Sequence, residues 1–187
     1  MTNTPSKPVH TFHINTQKDF LKKNNIVSIC IKTAKDSIAY ELLHHDVNTL
    51  CYDDNMRRSY NSVIIQPQSR KILSLFTPKC SNTNNFQNKN PFNRLLRIYK
   101  MEEGLHIQLF YEPRNFSWQI ASKYSIGGNV MYQYNNSFIK QSEIFVQTLG
   151  YHGYNINELP LLKTLPKQYC YHFIVQHPGL YSSKEKI

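Results

Sequence analysis

The stretch Lys100-Met101-Glu102-Glu103-Gly104-Leu105-His106-Ile107-Gln108-Leu109-Phe110 decides how this chain is read. An acid–glycine step opens a run in which Leu105, Ile107, Leu109 and Tyr111 fall on one face, the alternation of a half-buried strand. Glu112-Pro113-Arg114-Asn115 supplies turn formers, and residues 116–122 carry the return strand, which ends at Lys123. A second hairpin precedes this one. Residues 62–66 and 71–76 are β-rich runs flanking Pro67-Gln68-Ser69-Arg70, and Thr77-Pro78-Lys79 stops the second run, because proline cannot donate to a ladder.

Further from this centre, residues 1–25 are polar and lysine-bearing and read as a loose arm. Residues 25–32 alternate as a strand, whereas 38–43 fit either helix or strand. His44-His45-Asp46 follows as a loop; an adjacent pair points its rings apart, so it reads as surface rather than as a metal site. The asparagine-rich segment 81–91 reads as a loop. Residues 137–149 carry Phe138, Ile139, Ile144, Phe145, Val146 and Leu149 at helical spacing, with Gly150 as the stop. After a punctuated stretch at 159–166, residues 169–175 form a last strand, and a charged tail occupies 181–187. Hairpins joined by one or two helices, without βαβ alternation, predict an α+β domain.

Composition bounds the partners. The 187 residues suffice for one packed domain, with 40% apolar residues, 13 Tyr and 10 Phe. Lys and Arg number 22 against 12 acids, a formal charge of +10, and such an excess favours polyanions because phosphate neutralisation releases counterions. Cys30, Cys51, Cys80 and Cys170 lie far apart, with no metal-type spacing and no secretory leader, so the expected compartment is reduced and cytoplasmic. No run approaches the roughly 18 apolar residues of a membrane span, so a membrane partner is not expected.

The Pro78-Lys79 stop, the Glu103-Gly104 step and Ser122-Lys123-Tyr124-Ser125 after the Trp118 strand occur in one order. Together they resemble the adenylyltransferase domain of ATP-dependent RNA ligases of the phage and giant-virus type, within the nucleotidyltransferase superfamily. Ile126-Gly127-Gly128-Asn129 and Gln176-His177-Pro178 are similar to the giant-virus version. The resemblance covers about residues 26–180. It implies an α+β antiparallel-sheet core of the kind found in nucleotidyltransferases and ATP-grasp-like ligases. That core is incomplete, because the later Glu-Gly and Lys-x-Lys motifs are absent.

The same resemblance implies ATP and Mg²⁺ as cofactors, RNA as partner, and a lysyl-adenylate intermediate. Lys100 is the implied nucleophile, Lys79 and Lys123 contact phosphate, Glu103 touches the ribose, and Gly104 allows close backbone approach to the nucleotide. No residue is assigned to metal. The family's nucleophile stands three positions before the glycine, where this chain has Met101; Lys100 lies one residue earlier, which on a strand is the opposite face. A bulge is needed to turn it inward. A binding module that holds nucleotide or RNA without covalent chemistry, or a basic viral interaction protein, are the other readings.

Overall fold

A computed structural model describes residues 14–32, 39–45, 59–77, 102–134, 137–151 and 155–177. Mixed helix and antiparallel strand is what it shows, as the alternation predicts. The strands are β1 (Ile26–Lys32), β2 (Ala39–His45), β3 (Asn61–Ile65), β4 (Ile72–Leu75), β5 (Leu105–Glu112), β6 (Ser117–Ala121), β7 (Met131–Tyr134), β8 (Ser137–Lys140) and β9 (Tyr171–Val175). The helices are α1 (Lys18–Lys23), α2 (Gln141–Thr148) and α3 (Pro160–Thr164). One sheet runs β1-β2-β3-β4, a second β6-β5-β9, and β7-β8 form a separate hairpin.

The two larger sheets lie face to face between helices. On the outer side of the first sheet, Ile26, Leu43, Val63 and Ile65 pack with Leu21 of α1. On its inner side Tyr40, Leu42 and Ile64 meet Phe110 and Ala121 of the second sheet. The second sheet's outer face, Ile107, Leu109, Trp118 and Ile120, is covered by Ile144 and Phe145 of α2 and by Leu162 of α3. Each such side chain contributes about 1.5–3 kcal/mol on burial. The apolar stripe of β5 therefore faces the helices, as its alternation predicts.

The opposite face of β5 is buried as well from Gln108 onward, although it is polar apart from Phe110. Gln108 is fully enclosed between the sheets, donating from Nε2 to Ser62 Oγ at 3.0 Å and accepting from Ser74 Oγ at 2.5 Å. Glu112, also fully buried, accepts from the Arg114 backbone N–H at 3.1 Å and from its Nε at 3.0 Å. That bond to Glu112 holds the Arg114 guanidinium above its ordinary value, against the opposing effect of burial.

Three expectations need correction. His44 and His45 lie on β2 and are buried, because both faces of this sheet are covered: their rings do point apart, and each finds a partner. His45 Nδ1 is 3.1 Å from the Tyr60 carbonyl, and the His44 ring meets Tyr124. The helix expected at 137–149 begins only at Gln141, since Ser137–Lys140 pairs with Met131–Tyr134; Gly150, at φ 72°, does end it. The segment read as an arm carries α1, which docks through Leu21. Asn15 is clasped by the Tyr60 hydroxyl, which accepts from its N–H at 2.9 Å and donates to its C=O at 2.8 Å. No helix among the described residues is long and apolar enough to cross a membrane.

Candidate functional site

Three chain segments converge beside the second sheet. Phe76 follows β4, Leu105 and His106 open β5, and Ser122-Lys123-Tyr124 leaves β6; with Val130 and Tyr132 they line one cavity of about 500 Å³. That size is ordinary for a small-molecule site, as is a mostly apolar lining with a few polar groups.

Local chemistry fixes each segment. Asn61 Nδ2 donates to the Thr77 carbonyl at 2.8 Å, pinning the chain just past Phe76. The Phe76 ring packs against two imidazoles, 5.7 Å from His106 and 5.3 Å from His172. After β6 the chain makes a tight turn. Ser122 N–H donates to the Ser125 carbonyl at 2.8 Å, the two hydroxyls meet at 2.7 Å, and Gly127 N–H returns to the Ile120 carbonyl at 2.7 Å. Gly127 and Gly128, at φ 96° and 66°, supply the left-handed steps that follow.

Lys123 sits at the tip of this turn. Its ammonium lies over the Tyr124 ring, 4.8 Å from the centroid, and Tyr124 stands edge-on to His44 at 5.6 Å. A cation is thus held at the cavity wall by an aromatic ring that a buried histidine braces.

Of the residues expected at the site, Lys123 lines the cavity and Gly104 directly precedes Leu105 in its wall. Glu103 is exposed at the start of β5, where its carbonyl accepts from Gln176 Nε2 at 3.2 Å. Gly104 has a local reason to be glycine. A Cβ there would stand 2.6 Å from the Val175 carbonyl oxygen and 2.8 Å from Ile174 Cγ2. The missing side chain makes room for β9. Lys79 and Lys100 lie outside the described residues, two positions beyond Thr77 and two before Glu102 respectively.

Sequence reasoning did not single out Phe76, His106, Tyr124 or Tyr132. Only His106 carried a signal: it falls on the same face of β5 as Gln108. It also missed a pairing at the entry to β9, where Cys170 Sγ lies 3.9 Å from His172 Nε2 and 3.9 Å from the Leu75 carbonyl. Burial pushes this thiol up, but the contacts with His172, Leu75 and Ser74 together outweigh it and hold the thiol below its ordinary value.

Among the described residues no group of three His, Cys, Asp or Glu side chains is gathered as a metal cradle. No protein-family model, curated protein or solved structure matches the chain.

Proposed function

We propose that this chain is an RNA ligase-like nucleotidyltransferase domain whose aromatic cavity takes the nucleotide. One observation carries the reading: the end of β4, the start of β5 and the turn after β6, which bear the ligase-like residues in the sequence, line a single cavity. In this reading the adenine and ribose lie against Phe76, Leu105, Val130 and Tyr132, where burial of a planar apolar body is favourable. Lys123, and Lys79 two residues past Thr77, face the phosphates of ATP.

The Lys100 amine then attacks the α-phosphorus. A P–N bond forms, the amine loses a proton, and pyrophosphate leaves. An RNA 5′-phosphate takes the AMP from the lysine, and a 3′-hydroxyl displaces it to join the ends. Mg²⁺ belongs to this proposal as the companion of the ATP phosphates. The described residues gather no group of three His, Cys, Asp or Glu side chains as a cradle for it.

A second reading has its own support. The described cavity wall is apolar and aromatic apart from Lys123, His106 and Ser122, and Lys123 is engaged with Tyr124. That wall suffices to hold a nucleotide base without any covalent step. Incubation with Mg²⁺ and α-labelled ATP separates the two. Label that stays on the protein through denaturing electrophoresis and alkali, is released by acid as a P–N bond requires, and is lost in Lys100→Ala supports the transferase. Saturable binding of a fluorescent ATP without label supports the binding module. Neither label nor binding overturns both.

A further inference from the structure

A second cavity lies on the opposite side of the first sheet, and nothing in the ligase reading uses it. Lys18, Leu21 and Lys22 of α1, Ile26, Ser28 and Cys30 of β1, Glu41 of β2 and Pro67 of the β3–β4 turn line an open groove of about 530 Å³. Leu21 and Ile26 are buried and form an apolar base. Lys18 and Lys22 are four residues apart, so they share one face of the helix, with side chains about one turn from each other.

The charges are unequal. Among the described residues Glu41 is the one acid in the lining, and it is already neutralised: Arg70 Nη1 donates to its Oε2 and Ser28 Oγ to its Oε1. Arg70 Nη2 also donates to the Thr16 carbonyl, which ties the start of α1 to the same ion pair. Among the described residues neither Lys18 nor Lys22 has a carboxylate partner. Two ammonium groups therefore remain uncompensated above an apolar base.

We infer that this cavity is a binding site for an organic phosphate monoester, its dianion held by Lys18 and Lys22 and its body resting on Leu21, Ile26 and Pro67. A dianion matches the surplus of two charges, and the three terminal oxygens of a monoester give both ammoniums an acceptor. A monoanionic carboxylate leaves one lysine unmatched, and a cationic ligand meets only a carboxylate that Arg70 already holds. The cavity falls within the roughly 300–1,000 Å³ of small-molecule sites. The phosphate could belong to a free nucleotide or to the end of a nucleic-acid chain.

Cys30, exposed and in the lining, reports occupancy of this cavity directly. The full chain with Cys51, Cys80 and Cys170 replaced by serine is treated with iodoacetamide, with and without adenosine 5′-monophosphate. Alkylation of Cys30 should slow about tenfold at ligand concentrations near ten times the dissociation constant. Adenosine alone should give no protection. Protection by a 5′-phosphorylated oligoribonucleotide and not by its 5′-hydroxyl form assigns a chain end as a source; protection by the mononucleotide only assigns the free ester.

Lys18→Gln/Lys22→Gln should abolish protection while leaving the melting curve unchanged, since both side chains are exposed. Lys123→Ala, on the other cavity, should leave it intact, so failure here is distinct from failure of the ligase reading. Equal protection by adenosine, protection that survives the double lysine substitution, or none from any phosphomonoester overturns the inference.

Discussion

Tyr124 stands edge-on to His44, ring centroids 5.6 Å apart and planes at 84°, while the Lys123 ammonium lies 4.8 Å from the centre of the same tyrosine ring. A residue of β2 thereby sets where a cation far later in the chain, Lys123, can reach. Tyr124→Phe keeps the ring and should leave affinity for a fluorescent ATP close to the parent. Tyr124→Leu removes the ring's hold on the ammonium, worth about 0.5–1 kcal/mol at an exposed site, so affinity should drop about two- to fivefold. In a double-mutant cycle with Lys123→Ala the losses should not add. Additive losses would show that the ring does not act through the lysine.

Gly104 meets the β9 backbone where a side chain has no room. Gly104→Ala should destabilise the fold by about 1–3 kcal/mol, the usual range for overpacking. Hydrogen exchange should accelerate first where Leu105 pairs with Val175. An alanine variant with parental stability and slow exchange on β9 would contradict the close approach.

The Ser62–Gln108–Ser74 chain bridges the two sheets in a space closed to water. Gln108→Leu leaves two buried hydroxyls without their partner and should cost about 2–3 kcal/mol in urea unfolding. Replacing both serines by alanine in that background should recover more than half of the loss, because no polar group is then left unmade. A triple variant as weak as the single one would mean that volume, not hydrogen bonding, governs this layer.

Tyr60 clasps Asn15 and is pushed above the ordinary phenol value by burial, which outweighs the opposing Asn15 hydrogen bond. Its neutral form therefore stabilises the fold. That contribution is fully present below about pH 10, the ordinary phenol value, and is lost as pH rises through the raised folded value. Tyr60→Phe should cost about 1 kcal/mol at neutral pH and make the alkaline loss shallower. The slope should not vanish, because Tyr132 and Tyr171 are also raised, each mainly by burial. Chemical denaturation from pH 7 to 11 checks the sign.

Cys170 is held below the ordinary thiol value by His172, Leu75 and Ser74 acting together against burial. Its reaction with an aromatic disulfide reagent should have a midpoint below that of an ordinary thiol in the same buffer, and His172→Gln should move that midpoint upward. Stability linked to this thiol has the opposite sign to Tyr60: it is present above the unfolded thiol value and declines as pH falls through the folded one. A midpoint that ignores residue 172 would remove the imidazole from the account.

Both hairpins and the α+β class were legible in the residues themselves. The alternation of Leu105, Ile107, Leu109 and Tyr111, and the turn formers at 67–70 and 113–115, are local signals that need no knowledge of distant partners. The β7–β8 hairpin was not legible, because Ser137–Lys140 carries apolar residues at a spacing that also suits a helix. α1 was hidden for a different reason: six residues are too few to be helical by propensity, and docking of Leu21 supplies the stability.

What the chain determined alone, then, is which face of each strand is apolar, since side-chain period follows from the backbone of a single strand. Only the tertiary structure decided that the polar faces are enclosed too. Stacking two sheets buries Gln108, Glu112 and His44, and packing on the first sheet's other face buries His45; Gln108, His44 and His45 find partners on other segments, while Glu112 pairs with Arg114 of its own turn. The same stacking brings Phe76, Leu105 and Lys123 to one cavity. No strand's own pattern encodes that meeting, because it depends on how separate elements pack.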